Sequence, residues 1–148
     1  MADITRNATT VWNGTLLQGS GTFTVGSGAI PEQGVSWPAR TEEPGGKTSP
    51  EELIAAAHAS CYAMAFSATL GRNEAPPEQL TVTSVVTFAP KEGGGFRIAS
   101  SALTVRGKVP GIDQARFEEL AKMGEAGCPV SNALRGNVDI TVEAILEA

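Results

Sequence analysis

One apolar stretch of the chain holds two residue types that could do chemistry. The segment "SPEELIAAAHASCYAMAFS" contains Cys61, one of two cysteines, and His58, the only histidine. The second cysteine, Cys128, follows 67 positions later in "AGCPVSNAL". A cysteine thiolate is a nucleophile, and two cysteines can close a disulfide. These residue types are compatible with three chemical roles: a redox pair, a Cys–His nucleophile or a metal site. They are also compatible with a purely structural role as buried core residues.

These alternatives differ in what they require. A metal site needs three or four ligands, and no C-x-x-C or H-x-x-x-H spacing links His58, Cys61 and Cys128, so we predict no metal and no cofactor. A Cys–His hydrolase or acyl transferase would use Cys61 and His58, but an orienting acid and a G-x-S/C-x-G elbow are not evident. For His58 by itself we predict a packing or hydrogen-bonding role.

A redox pair requires that one thiol ionises. Cys61 lies in the middle of an apolar helix, where burial disfavours the thiolate, so its reactivity requires a positive group. An arginine in contact is worth about one to three pKa units. Cys128 directly precedes Pro129 at the start of a short predicted helix, where the helix dipole favours a thiolate. Local electrostatics alone therefore selects Cys128 as the nucleophile.

The elements around the cysteines predict an α+β fold. Ser49 as N-cap, Pro50 at the first helical position and Glu52 two residues later predict a long helix that ends near Gly71. A second helix begins after the cap Asp113 and ends at Gly127, with Phe117, Leu120 and Ala121 on its buried face, and "CPVSNALR" is a short third helix.

Strand patterns flank these helices. "ATTVWNGTLLQGSGTFTV" predicts a hairpin with a type I′ turn at Asn13-Gly14, and "GVSWPAR" a third short strand. "LTVTSVVTFAP" and "GFRIASSALTVRGKV" predict a longer hairpin around "KEGGG", and "NVDITVEAILEA" a closing strand. We therefore predict an antiparallel sheet packed on helices, in a single domain over residues 1–148.

Composition restricts the possible partners. The helix carries no charge from Leu53 to Leu70, and a domain of 148 residues has limited capacity to cover such a helix, which predicts a homodimer. A net charge of −5 without a Lys/Arg cluster argues against nucleic acid and anionic membranes as partners. We also predict no membrane span and no secretory signal, hence a cytoplasmic protein in which a disulfide would be transient.

Several sequence motifs together resemble those of a known protein family. "SPEELIAAAHASCYAMA" and "AGCPVSNAL", with "WNG", "ARTE" and "VPGID", resemble the OsmC/Ohr family of thiol peroxidases, in its OsmC branch, over essentially the whole chain. The resemblance implies an antiparallel sheet packed on a long central helix in an intertwined homodimer, with two active sites at the subunit interface. It implies reduction of hydroperoxides, preferably organic ones, and an external thiol or dithiol reductant such as a lipoylated protein.

The resemblance also assigns roles to residues. It implies that Cys61 is the peroxidatic and Cys128 the resolving cysteine, which reverses the choice from local electrostatics. It implies that Arg40, in "ARTE", is the active-site arginine and Glu51 the active-site glutamate. The sequence departs from the family pattern at Thr41, where an aromatic residue is typical.

Helix geometry constrains these roles. Glu51 is best used to orient Arg40 as a bidentate pair, because direct contact with the sulfur would disfavour the thiolate. Glu51 and Cys61 are about 15 Å apart along a continuous helix, so we expect Glu51 to come from the partner subunit or Arg40 to reach between subunits. An apolar helix face would bind the organic peroxide: Ile54, Met64 and Ala65. A non-turnover redox sensor or stress-binding protein remains an alternative.

Overall fold

A computed structural model of the chain describes residues 1–147, and within these residues the fold is α+β, as predicted. The elements in chain order are β1 Ala8–Asn13, β2 Ser20–Val25, β3 Gln33–Val35, α1 Trp37–Thr41, α2 Pro50–Arg72, β4 Gln79–Pro90, β5 Phe96–Lys108, α3 Gln114–Ala126, α4 Pro129–Leu134 and β6 Asp139–Leu146. The chain divides into two compact units, Met1–Leu53 and the part that begins at Ile54. A single domain over residues 1–148 stays a prediction.

The first unit contains an antiparallel sheet of order β1-β2-β3. The predicted hairpin is present, but the two-residue turn is wrong, because Asn13 pairs with Ser20 and residues 14–19 form the loop. Gly14 begins this loop with φ +89°, and the Gly19 N–H then donates to the Thr15 carbonyl at 2.7 Å. The loop therefore closes on itself, and Asn13 stays in the strand.

The third predicted strand is only partly correct. β3 ends at Val35, and the rest of "GVSWPAR" forms α1. Ser36 caps this helix, since its hydroxyl oxygen accepts the Ala39 N–H at 3.3 Å, and a proline stands in the first turn. Serine and proline at these positions favour a helix start. As a consequence Arg40 lies in the last turn of α1 rather than on a strand.

The long helix α2 begins as predicted. The Ser49 hydroxyl accepts the Glu52 N–H at 3.1 Å, while the Glu52 carboxylate accepts from the Thr48 hydroxyl at 2.7 Å. By length and composition α2 is apolar enough to cross a membrane, although no segment was expected to approach a span, and the absence of a membrane span stays a prediction. Yet the Tyr62 and Phe66 side chains of α2 are fully buried in the core of the second unit.

The second unit contains a sheet of order β4-β5-β6. β4 and β5 form the predicted antiparallel hairpin, but β6 pairs with β5 in parallel, which corrects the expectation of a fully antiparallel sheet. The physical reason lies in the connection. Parallel neighbours need a crossover of about a dozen residues or more, and α3 and α4 between β5 and β6 provide it.

The core of the second unit forms where α2 packs with α3 and β5. Its largest fully buried apolar side chains are those of Tyr62, Phe66, Leu70, Leu103, Leu120 and Phe117. Each such side chain contributes about 1.5–3 kcal/mol through burial. A Cβ atom at Gly124 would lie 3.0 Å from the Phe66 Cα atom, so α3 needs a glycine there to approach α2. The capping of α3 by Asp113 is confirmed, with the Arg116 N–H donating to its carboxylate at 2.8 Å.

One face of α2 is exposed in the single chain. Its members are small residues and one methionine: Ala56, Ala57, Ser60, Met64, Ser67 and Ala68. An apolar helix is normally covered on all sides, so this face is the part of α2 that a partner subunit would cover. The homodimer itself stays a prediction.

Candidate functional site

The two cysteines meet although they come from different elements. Cys61 lies in the middle of α2, and Cys128 is the N-cap of α4. Both are free thiols, and the Cys128 thiol donates toward the Cys61 sulfur across an Sγ–Sγ distance of 3.4 Å. A disulfide bond is about 2.05 Å long, so a shift of little more than 1 Å would join them. The arrangement is that of a reduced pair that can close a disulfide.

The two thiols differ in accessibility. Cys61 is partly exposed, whereas Cys128 is fully buried. A substrate that arrives from solvent therefore reaches Cys61 first. Local electrostatics favoured Cys128 as the nucleophile, but local electrostatics does not include this burial. The burial of Cys128 arises from tertiary packing.

The electrostatics at Cys61 oppose ionisation. Burial is the largest cause that raises the pKa of the Cys61 thiol, and the neighbouring Cys128 raises it further. A hydrogen bond from the backbone N–H of Val130 lowers the same pKa but does not outweigh the other causes. A peroxide-reducing Cys61 therefore requires an added positive group, as the sequence indicated.

His58 lies next to this pair in a buried hydrogen-bond network. Its Nε2 atom is 2.7 Å from the Ser131 hydroxyl, and its Nδ1 atom is 2.6 Å from the Ser101 hydroxyl. Burial lowers the pKa of His58, with the negative charge of Glu125 acting in the opposite direction, so the ring is neutral at physiological pH. Both ring nitrogens are engaged by serines, as expected for a hydrogen-bonding histidine, and neither is left as a general base for Cys61 or as a metal ligand.

A charged side-chain pair, formed by Arg40 and Glu51, lies in the first unit. The Arg40 Nη2 atom donates to Glu51 Oε1 at 2.7 Å, and its Nε atom lies 3.1 and 3.2 Å from the two carboxylate oxygens. The Glu51 side chain is 9% exposed and that of Arg40 30%. The expected Arg40–Glu51 pair is therefore present within one chain, with α1 supplying the guanidinium and the first turn of α2 the carboxylate.

A pocket of about 350 Å³ in the first unit borders Arg40. Its lining is mostly apolar: Trp12, Leu16, Val35, Ser36, Trp37, Arg40 and Pro50. The Arg40 guanidinium carbon lies 6.0 Å from the centre of the Trp37 ring, within reach of a cation–π contact. Neither tryptophan was predicted as a site residue, although they are the only two in the sequence and adjoin "NG" and "PAR".

The residues predicted to bind substrate lie elsewhere on α2. Ile54 is half-buried, Met64 is 69% exposed, and Ala65 packs at the edge of the core of the second unit. None of the three lines the pocket beside Arg40. Their role in substrate binding stays a prediction. Among residues 1–147, no group of three or more His, Cys, Asp or Glu side chains could hold a metal ion.

Comparison with known proteins places this arrangement in a family. The model of the OsmC-like protein family matches residues 43–143, which include Glu51 and both cysteines. The peroxiredoxin OsmC of Escherichia coli (strain K12) is 38% identical over 129 residues, covering 87% of this chain and 89% of its own. The chain belongs to the OsmC-like family. The matched region begins after Arg40, so the family match does not cover the arginine.

Two further similar proteins carry names that refer to organic hydroperoxide resistance. An organic hydroperoxide resistance protein of Xanthomonas axonopodis pv. citri (strain 306) is 35% identical over 99 residues, covering 66% of this chain and 67% of its own. A crystal structure of an organic hydroperoxide resistance protein OsmC from Legionella pneumophila superimposes with a TM-score of 0.76 at 26% identity, covering 98% of this chain and 99% of that one. The fold of the OsmC-like chain is therefore shared over nearly its whole length.

Proposed function

We propose that this OsmC-like chain is a thiol peroxidase that reduces organic hydroperoxides, and hydrogen peroxide less well, in peroxide and osmotic stress defence. The observation that carries the proposal is the partly exposed Cys61 thiol with the buried Cys128 thiol 3.4 Å behind it. An accessible nucleophile with a shielded second thiol can complete an oxidation and resolution cycle. Relatives named as a peroxiredoxin and a hydroperoxide resistance protein support the same activity.

The first step oxidises Cys61. Its thiolate attacks the distal peroxide oxygen, an S–O bond forms and the O–O bond breaks. The alkoxide leaves and takes up a proton to become the alcohol, and Cys61 becomes a sulfenic acid. The peroxide gains two electrons and the sulfur loses them.

The second step resolves the sulfenic acid. The Cys128 sulfur attacks the Cys61 sulfur, an S–S bond forms and the S–O bond breaks. The hydroxide leaves with the Cys128 proton as water. An external thiol or dithiol, such as a lipoylated protein, then reduces the disulfide and returns both thiols.

Arg40 supplies the missing positive charge in this proposal, and Glu51 orients its guanidinium. Glu51 holds the guanidinium through its bidentate contact, and Arg40 stabilises the Cys61 thiolate and the charge that develops on the breaking O–O bond. Because Glu51 and Cys61 are ten residues apart on α2, or about 15 Å of helix rise, the pair serves Cys61 of the partner subunit. The proposed homodimer buries the exposed face of α2.

The organic group of the substrate requires an apolar surface. The pocket beside Arg40 offers two tryptophan rings and aliphatic side chains, which suit an alkyl or aryl group. We also propose that the α2 residues Ile54, Met64 and Ala65 provide apolar contacts to the substrate. The proposed enzyme acts in the cytoplasm, without nucleic acid or membrane partners and without a cofactor.

Turnover separates this proposal from a redox sensor. Steady-state reduction of cumene hydroperoxide with dihydrolipoamide should proceed for many cycles per Cys61, and Glu92→Ala, in the exposed turn between β4 and β5, should leave the rate unchanged. In a redox sensor each Cys61 would be oxidised once, and peroxide consumption would then stop even with excess dithiol present. A Cys–His hydrolase would instead turn over an acyl ester, but the engagement of both His58 nitrogens by serines argues against it.

A further inference from the structure

The buried His58 network has no part in the peroxidase steps. It links four elements of the second unit: the Ser84 hydroxyl of β4 lies 2.9 Å from that of Ser101 on β5, and His58 of α2 joins Ser101 to Ser131 of α4. His58, Ser101 and Ser131 are all fully buried. Burial of polar groups is unfavourable unless they are hydrogen-bonded, so this network keeps its stability only while its members hold their mutual geometry.

The network ends on α4 at Ser131, next to the sulfur atoms of Cys61 and Cys128. The backbone N–H of Ser131 donates to the Cys128 sulfur at 3.5 Å, and the preceding N–H, that of Val130, donates to the Cys61 sulfur. The first turn of α4 therefore contacts both reacting atoms. The position of this turn determines how Cys128 approaches Cys61.

The first turn of α4 is attached to the second unit at several points: Val130 packs against the core, and the Cys128 N–H donates to the Glu125 carbonyl at 3.1 Å. The helix has six residues, and at its far end Arg135 pairs with Glu125 at 2.8 Å, with the arginine side chain 49% exposed. A partly exposed ion pair contributes little fixed geometry, whereas a buried polar group that loses its hydrogen-bond partner is strongly unfavourable. The His58–Ser131 hydrogen bond is the attachment that joins this turn to β5 through fully buried polar side chains.

We propose that His58 is a positioning residue for disulfide formation: through the Ser131 hydroxyl it holds the first turn of α4 so that Cys128 attacks the Cys61 sulfenic acid. This inference rests on the proposed function, because it assigns the resolving step to Cys128. His58 exchanges no proton with substrate in this role. Loss of the attachment should slow resolution far more than it slows the oxidation of Cys61 by peroxide.

The direct test separates the two steps in a single turnover. In Ser131→Ala, the oxidation rate of Cys61 by cumene hydroperoxide should stay within about twofold, while disulfide formation slows about tenfold or more. Further oxidation of Cys61 to the sulfinic acid, measured by mass spectrometry, should then occur at lower peroxide concentrations. Ser84→Ala is the matched control, because it removes a hydroxyl from the far end of the network and leaves both His58 contacts. Equal slowing of both steps, unchanged resolution, or the same loss in Ser84→Ala would overturn the role.

A second pair of variants covers the case in which Ser131→Ala does not fold. His58→Gln keeps a donor and an acceptor on its amide and should retain most of the resolution rate, whereas His58→Leu should lose it about tenfold or more. Thermal unfolding would verify that each variant is folded. Equal resolution rates in these two variants would overturn the positioning role.

A peroxide-free measurement distinguishes failure of this inference from failure of the proposed function. In a glutathione redox buffer, the Cys61–Cys128 disulfide should form with an effective thiol concentration about tenfold or more lower in Ser131→Ala than in the wild type. If the wild type does not turn over peroxide but this shift appears, the proposed function fails and the positioning role stands. If the wild type turns over and neither measurement changes, the positioning role fails alone.

Discussion

The Sγ atoms of Cys61 and Cys128 lie 3.4 Å apart, although 67 positions separate the two residues in the chain. One thiol is partly exposed and the other is fully buried. This asymmetry orders the proposed chemistry, because the accessible sulfur meets the peroxide and the shielded sulfur meets only the oxidised product.

Removal of either sulfur should stop the cycle at a different point. Cys61→Ser should abolish peroxidase turnover, since the remaining thiol, that of Cys128, is fully buried. Cys128→Ser should still be oxidised once and should accumulate sulfenic acid, because the second sulfur is missing. Trapping with dimedone and mass spectrometry would distinguish the two variants. Full turnover by Cys61→Ser would contradict the proposed mechanism.

Removal of the Arg40 guanidinium should raise the pKa of the Cys61 thiol. In Arg40→Ala, loss of a contacting cation should shift that pKa by about one to three units and slow oxidation about ten- to a thousandfold. Arg40→Lys should fall between wild type and Arg40→Ala, because lysine keeps the charge but cannot make the bidentate contact with Glu51. The pH dependence of iodoacetamide alkylation measures the pKa. Arg72→Ala, at the exposed end of α2, is the control, and an unchanged profile in Arg40→Ala would rule out this role.

Mixed dimers should reveal which subunit supplies the arginine. Neither Cys61→Ser nor Arg40→Ala alone has a complete site. If Arg40 acts on the partner's Cys61, random mixing of the two variants should restore about one quarter of the sites, because half of the dimers are mixed and each has one complete site. If Arg40 acts within its own chain, mixing restores none. Steady-state rates after co-refolding give the result.

The pocket beside Arg40 should select for the organic group of the peroxide. Trp12→Ala should raise KM for cumene hydroperoxide about tenfold through lost apolar contact, and leave the rate with hydrogen peroxide unchanged. Leu17→Ala is the control, because this residue is 70% exposed and does not line the pocket. Equal losses with both peroxides would indicate a structural defect or a different substrate surface.

His58 should make the folded state less stable in acid. Its pKa is lowered by burial in the folded protein, while the unfolded chain takes up the proton near the ordinary value of about 6.5. The unfolded state then binds more protons below that pH, so stability falls as pH decreases, by at most about 1.4 kcal/mol per pH unit. Urea unfolding at pH 7.5 and 5.5 should show this loss in the wild type and a smaller one in His58→Gln. An equal loss in both would assign the pH dependence to other groups.

Short-range patterns predicted much of the fold. The start of α2 at Ser49-Pro50, the Asp113 cap and the hairpin around "KEGGG" follow from contacts between residues close in the chain, and the structure confirms them. The predicted turn at Asn13-Gly14 failed because residues 14–19 close their own loop. The strand expected over "GVSWPAR" gave way to the Ser36 cap of α1. The parallel direction of β6 depends on how the crossover through α3 and α4 packs, which no local pattern encodes.

The sequence by itself determined the helix that carries Cys61, the cap position of Cys128 and the motifs of the OsmC-like family, because these depend on residue types at fixed local spacings. Only the tertiary structure decided that the two sulfurs meet, that Cys128 is the shielded one, and that His58 is engaged by Ser101 and Ser131. The reason is physical. Burial and side-chain contacts between elements distant in the chain arise from packing of the whole core, and such packing leaves no periodic signal in the sequence.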